Sequence, residues 1–142
     1  HISIVSSRAG RILEILGYKE ERIELAKIAG YMHDIGNCVN RVDHAHSGAI
    51  LAYNILKEMG MDVKRRTEIM MAIGNHDEQT GTAVSDISAA LILADKSDVH
   101  RDRVVNPNKS SFEIHDRVNY AVTDTKLEID KETLYKIRED LV

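Results

Sequence analysis

Between Asp86 and Asp95 the chain places Ile87, Ala89, Ala90, Leu91, Ile92, Leu93 and Ala94, interrupted only by Ser88. Read as a helix, this run is apolar almost all round, and such a helix belongs at the centre of a fold, where other elements can cover every side of it. The rest of the chain must therefore supply partners. At the end of the run stands Asp95, a carboxylate leaving the most buried element. Burial of that group costs several kcal/mol unless it is paired or bound to a metal, and a metal is the simpler explanation.

The partners are legible as helical periodicity. Residues 2–16 place Val5, Ala9, Ile12 and Leu16 on one face, with Ser6, Ser7, Arg8, Arg11 and Glu14 off it and His1 at the mouth of the helix. Gly17-Tyr18 breaks this helix, and Glu20-Glu21 open a second one with acid in its first turn, buried through Ile23, Ala26, Ile28, Ala29 and Met32. It runs directly into His33-Asp34, where Gly36 is expected to stop it. A loop over 37–42 follows. Asp43 is placed to cap a third helix from His44 to about Met59, with Ala45, Ala49, Ala52, Leu56 and Met59 inward and Gly48 permitting close packing. Gly60 ends it, Asp62 caps a fourth helix through Val63, Ile69, Met70 and Ile73 to His76, and a polar surface loop over 77–85 leads to the fifth. The predicted fold is all-α or mostly α, a bundle of five or more helices. Past His100 the pattern weakens to a turn at Asn106-Pro107-Asn108, a short helix from Phe112 to Val118, a small β-hairpin from the strand-like runs 120–123 and 126–129, and a terminal helix over 131–141.

A length of 142 residues suits one domain over 1–142, here read as a helical core over 1–103 and a C-terminal appendage over 104–142. The net charge of −4 is spread over interspersed acids and bases, so the chain carries no electrostatic footprint for duplex nucleic acid or a membrane surface. The single cysteine, Cys38, excludes an internal disulfide and fits a reducing cytosol. No apolar run approaches the roughly 20 residues of a membrane span, and the chain reads as soluble and cytoplasmic. It opens on His rather than Met, which leaves an upstream segment open.

The chemistry starts from His33-Asp34. Neighbours on a helix point about 100° apart, so these two can share one ion only near a helix end, and further donors must come from elsewhere. His1, His44, His46, His76 and Asp95 all lie near predicted helix ends and are spread along the chain, a pattern that suggests convergence on a buried metal site. Imidazoles with carboxylates suit Mn, Fe, Co, Ni or Zn better than Ca or Mg, and the lack of cysteine ligands argues against a structural zinc knot. Each residue also has a plain structural reading. His33-Asp34 alone could be a hydrogen-bonded helix end, His76 a helix cap, and Glu78 a solvated loop carboxylate instead of a general acid. His44 and His46 lie about 200° apart on a helix, so only one of them can face the site. His100 and His115 read as surface residues, and the methionines as core filler.

At this point the motifs resemble those of the HD-domain metal-dependent phosphohydrolase superfamily. His1 with Val5, Leu25-Ala26 leading to His33-Asp34-Ile35-Gly36, His44 with Gly48-Ala49, Ala72-Ile73-Gly74-Asn75-His76 and Leu93-Ala94-Asp95-Lys96 follow one another in that family's order across residues 1–103. The resemblance implies ligation of one ion by His1, His33, Asp34 and Asp95. It further implies that Asp34 bridges to a second ion held by His44 and His76, as in branches that cleave dinucleoside polyphosphates or cyclic dinucleotides. Two departures count against the cyclic-dinucleotide branch. His76 leads into Asp77-Glu78-Gln79-Thr80-Gly81-Thr82 in place of D-G-x-G-Y-P, and Asn37 stands where a Lys often follows H-D-I-G. One phosphate contact is thus to be supplied by Arg41, Lys96, Arg101 or Arg103, with Lys96 and Arg101 preferred because they follow Asp95 on the same helix.

The function this implies is hydrolysis of a phosphomonoester or phosphoanhydride, with a nucleotide as the expected small-molecule substrate, by metal-activated water. Asp34, Lys96 and Glu78 are the candidate catalytic residues, and Lys96, Arg101 and Arg41 the candidate phosphate contacts. One or two divalent transition-metal ions are expected, and a homodimer is compatible with the sequence. A regulatory module that binds metal and nucleotide without turnover is the alternative, and a metal-free structural domain is a second one.

Overall fold

The computed structural model describes residues 1–105 and 108–130. Its elements are α1 (Ile2–Ile15), α2 (Glu20–Met32), α3 (His44–Glu58), α4 (Val63–Gly74), α5 (Asp86–Lys96) and α6 (Ile114–Ala121), with short 3-10 turns at Ile35–Cys38, Arg101–Arg103 and Lys109–Ser111. Among the described residues there is no strand, and the mostly α expectation holds.

The core is aliphatic. Val5, Ile12 and Leu13 of α1, Ile69 and Ile73 of α4 and Ile87 and Leu91 of α5 belong to one cluster, all of them almost wholly buried. The run in α5 packs against α1, α2 and α4. Its enclosure is not complete: Leu93 is half exposed and Ile92 only partly covered, because α5 lies at the edge of a three-helix contact and keeps one side towards solvent. Met59, expected inward, is the exposed cap residue of α3, since the helix stops one residue before it and Gly60 turns the chain away with φ 85°.

Helix direction decides where the chemistry collects. Arg22 pairs with Asp86 and Glu68, which ties the first turns of α2 and α5 together at one end of the bundle. At the other end, ring contacts of 5.1 Å between His1 and His33 and between His44 and His76 set the beginnings of α1 and α3 beside the ends of α2 and α4. The segment over 75–85 carries the chain back, so α5 runs parallel to α2 and its own end, Asp95, reaches the same place. The close α1–α2 approach depends on Gly30, where a Cβ would lie 2.7 Å from the Ser6 Cα.

The Arg22 cluster has a pH signature. Arg22 holds the Asp86 carboxyl below its ordinary value of 3.8. Between the folded and the unfolded values the unfolded chain binds more protons, so stability rises with pH; the contribution is complete above the ordinary value and is lost as pH falls through the folded one. Asp86→Asn is expected to cost about 1–3 kcal/mol at neutral pH, between the exposed and buried cases for ion pairs, and less at pH 2. Urea titrations of both proteins at the two pH values check this; an equal loss at both would assign the effect to packing.

Three local expectations are corrected. The β-hairpin is replaced by α6, which takes Tyr120 and Ala121 into its last turn; Leu127 and Ile129 satisfy their alternation by lying against the helical core without a partner strand. Gly36 does not stop α2 through a left-handed conformation; α2 ends at Met32, and Gly36 sits within the 3-10 turn, where a Cβ would collide with the His44 carbonyl. Asp43 stands at the cap position of α3 with φ 62° and its side chain does not cap; its carboxylate instead meets His46 Nδ1 at 2.5 Å. Asn106 and Pro107 of the expected turn, and the helix expected over 131–141, lie outside the described residues.

Candidate metal centre

Four histidines reach the common end of the bundle, and each is locked at Nδ1. His33 Nδ1 donates to the Gly30 carbonyl at 2.7 Å and His76 Nδ1 to the Ile73 carbonyl at 2.6 Å, in each case a last-turn carbonyl that has no partner within its helix. His44 Nδ1 donates to the Arg41 carbonyl at 3.1 Å. In all three the acceptor lies three residues earlier, so the lock is local. His1 Nδ1 bonds instead to Asp98 Oδ2 at 2.7 Å, and that carboxylate is 97% buried, with 3% exposure. With Nδ1 carrying the proton, every Nε2 presents a lone pair, the arrangement that metal-binding imidazoles use.

Those lone pairs converge on two carboxylates. His1 Nε2 is 3.2 Å from Asp95 Oδ1 and 3.7 Å from Asp34 Oδ2; His33 Nε2 is 3.6 Å and 3.5 Å from the same two oxygens. His44 Nε2 approaches Asp34 Oδ1 at 3.5 Å. His33 and Asp34 can act together because Asp34 leaves the helical path with φ −95° and ψ 4°, which turns its carboxylate back towards the ring before it. Two sets of donors lie close enough to hold an ion, one of His1, His33 and Asp95, the other of His33, Asp34 and His76.

Two contacts test whether such a group fits. His33 Nε2 is buried and has no hydrogen-bond partner, which is costly for a lone pair unless something else takes it. His44 Nε2 and His76 Nε2 face each other across 3.3 Å, and with both Nδ1 atoms on carbonyls neither has a proton to share. A cation resolves both. Burial lowers the pKa of His76, which keeps it neutral and available. At His1, burial pulls the pKa down, but Asp95 and Asp98 outweigh it and the net shift is upward. Asp95 is held far below the usual carboxylate range: burial opposes this, and the neighbouring His1 and His33 rings with the Lys96 charge overcome it.

The other expected residues divide. Lys96 lies at the rim with Nζ 3.1 Å from Asp95 Oδ2 and 2.5 Å from Glu78 Oε2, so Lys96 and Glu78 are both beside the cluster, paired to each other. Glu78 also approaches His115 of α6 at 3.9 Å. Arg101 is not brought in. Helix α5 ends at Lys96, so Arg101 belongs to a separate 3-10 turn and its guanidinium lies over the Tyr120 ring at 5.2 Å. Arg41 is exposed, and what it brings to His44 is its carbonyl. His46 is exposed and bound to Asp43. Asp98 was not singled out from the sequence; the signal available was a second acid one helical turn beyond Asp95.

A family model described as HD domain matches residues 1–105. The chain belongs to the HD-domain family. HD-domain proteins are generally metal-dependent phosphohydrolases, and the donor set of this HD domain is of the kind that binds a divalent metal. A curated relative, the uncharacterized protein MJ1020 of Methanocaldococcus jannaschii, is 31% identical over 138 residues, covering 81% of this chain and 52% of its own length. The chain thus spans about half the length of that relative. No solved structure matches it. Among the described residues no helix is long and apolar enough to cross a membrane.

Proposed function

We propose that this HD domain hydrolyses a phosphomonoester or phosphoanhydride, with a nucleotide as substrate, using one or two divalent transition-metal ions. His1, His33, Asp34 and Asp95 would hold one ion, and Asp34 would bridge to a second held by His44 and His76. The observation that carries this reading is the set of Nε2 lone pairs aimed at two carboxylates, with that of His33 buried and unpartnered. Bound ions would supply Lewis acidity towards water and the phosphoryl oxygens. The chain does the rest. Asp34, about a quarter exposed at 28%, is the carboxylate open to water and is placed to orient the attacking molecule and accept its proton. Lys96, half-exposed and anchored by Glu78, is placed to meet charge on the departing oxygen. That anchoring favours Glu78 as the residue that positions Lys96 over a role as general acid.

The test joins elemental analysis to catalysis. Protein purified without chelator is expected to carry about one or two ions per chain and to turn over at least one member of a panel of mono-, di- and cyclic nucleotides with Mn²⁺, Co²⁺ or Ni²⁺. Asp34→Ala is expected to lower that turnover by about 1,000-fold or more, the loss of a ligand and a base together. Metal without turnover would make this a binding module, and less than about a tenth of an ion per chain would leave a structural domain.

A further inference from the structure

We infer that Arg103 is the phosphate-binding cation of this site. The inference rests on the hydrolase reading above and adds to it the residue that receives the substrate. Arg103 belongs to the 3-10 turn Arg101–Arg103, and its guanidinium reaches back across the end of the bundle. One NH2 nitrogen lies 3.3 Å from His1 Nε2, and NH1 donates to the Asp98 carbonyl at 2.6 Å. It is half-buried, yet no carboxylate lies within ion-pair distance of it among the described residues. A guanidinium has five N–H donors, and these contacts use two of them.

Comparison with the neighbouring cations singles it out. Lys96 is held at the rim between Asp95 and Glu78, on the side assigned above to the departing oxygen. Arg8 bonds to Ser97 Oγ at 3.1 Å and lies 3.9 Å from Asp98 Oδ1, which directs it to the outer side of the His1 lock. Arg101 lies on Tyr120. Among the described residues, Arg103 alone combines contact with a candidate ligand atom, partial burial and an unmatched charge. A partly desolvated guanidinium without a carboxylate favours an anionic ligand, and its planar fork matches two oxygens of a phosphoryl group.

The contact with His1 also explains how one residue can serve both situations. The Nε2 lone pair takes either the Arg103 N–H or a cation. Were His1 Nε2 to hold an ion, the Arg103 N–H would be released from it, while the bond to the Asp98 carbonyl would keep the guanidinium beside His1 with donors available to a phosphoryl group. Arg103 therefore competes weakly with metal and cooperates with phosphate, two effects of opposite sign.

That opposition is the test. Mn²⁺ is titrated calorimetrically into chelator-stripped wild type, Arg103→Met and Arg103→Lys, and inorganic phosphate into the same proteins saturated with Mn²⁺. In Arg103→Met, Mn²⁺ affinity is expected to be unchanged or to rise a few-fold, and phosphate affinity to fall by about 10- to 100-fold, the worth of one or two charge-assisted hydrogen bonds. Arg103→Lys should recover part of the phosphate affinity through charge without the fork. Phosphate bound equally by wild type and Arg103→Met would overturn the inference. Parallel loss of metal and phosphate would also overturn it, by showing that Arg103 merely braces Asp98 and His1. Failure of wild type to bind Mn²⁺ would sink the hydrolase reading itself, and with it this one.

Discussion

His33→Leu is expected to abolish metal uptake while leaving the chelator-treated protein about as stable as wild type. The reason lies in the two nitrogens of one ring. Nδ1 is well used, on the Gly30 carbonyl at 2.7 Å, whereas Nε2 is buried without a partner. Replacing the ring with leucine loses a hydrogen bond, a penalty of about 1 kcal/mol, and removes an unsatisfied buried lone pair whose cost is of the same order, so the two nearly offset. The metal-loaded state is different. His33 belongs to both donor sets, so its loss strips a ligand from each of them. Metal affinity should fall by more than about 100-fold, beyond what removal of an outer-shell partner usually costs. Wild type at 100 times its Kd of metal gains about 2.7 kcal/mol of stability, and the variant should gain almost none. Thermal unfolding with and without Mn²⁺ reads both halves of the expectation. A large loss of stability in chelator would mean that the imidazole is a core residue first, and metal stabilisation surviving in the variant would remove His33 from the site.

Gly36→Ala is expected to be the most damaging single-atom addition near the site. A Cβ on residue 36 would lie 1.9 Å from the His44 carbonyl oxygen and 2.7 Å from the Gly48 nitrogen, both main-chain atoms that cannot rotate away. Relief requires the 3-10 turn and α3 to separate. Overpacking of this kind typically costs about 1–3 kcal/mol, and a clash with backbone on a helix belongs at or above the upper end. The functional effect should exceed the stability effect. Residue 36 follows Asp34 by two positions and touches the first turn of α3, so the movement pulls His44 away from Asp34, now 3.5 Å apart. Turnover should fall by about 100-fold even at temperatures where the variant is folded, since displacement of about 1 Å is enough. Denaturant unfolding with activity measured on the folded fraction checks this. Normal activity in a destabilised variant would show that Gly36 serves only packing.

These two cases mark what was legible in the chain and what was not. The period of the apolar residues in α1 to α5 located the helices to within a residue or two at most ends, because burial of one face repeats every turn. The histidines and acids at helix ends were also visible, as residue types that a core accepts only with partners. What the residue string could not carry was direction in space. The spacing past Asp95 favours Arg101 over Arg103; the break after Lys96 reverses this, sending Arg101 onto Tyr120 and Arg103 to His1. Nothing in the residue string singles out Asp98; only the end of α5 brings it to His1 Nδ1. The strand-like alternation of Leu127 and Ile129 is answered by the helical core, with no partner strand among the described residues.

The sequence by itself determined the helices, the family and the kinds of donor atom available, since these depend on periodicity, motif order and side-chain chemistry, all local properties. Only the tertiary structure decided which nitrogen of the His1 ring is free and which cation, among the described residues, stands without a carboxylate beside it. Both depend on contacts between residues as far apart as His1, Asp98 and Arg103, and such contacts exist only once the helices have packed.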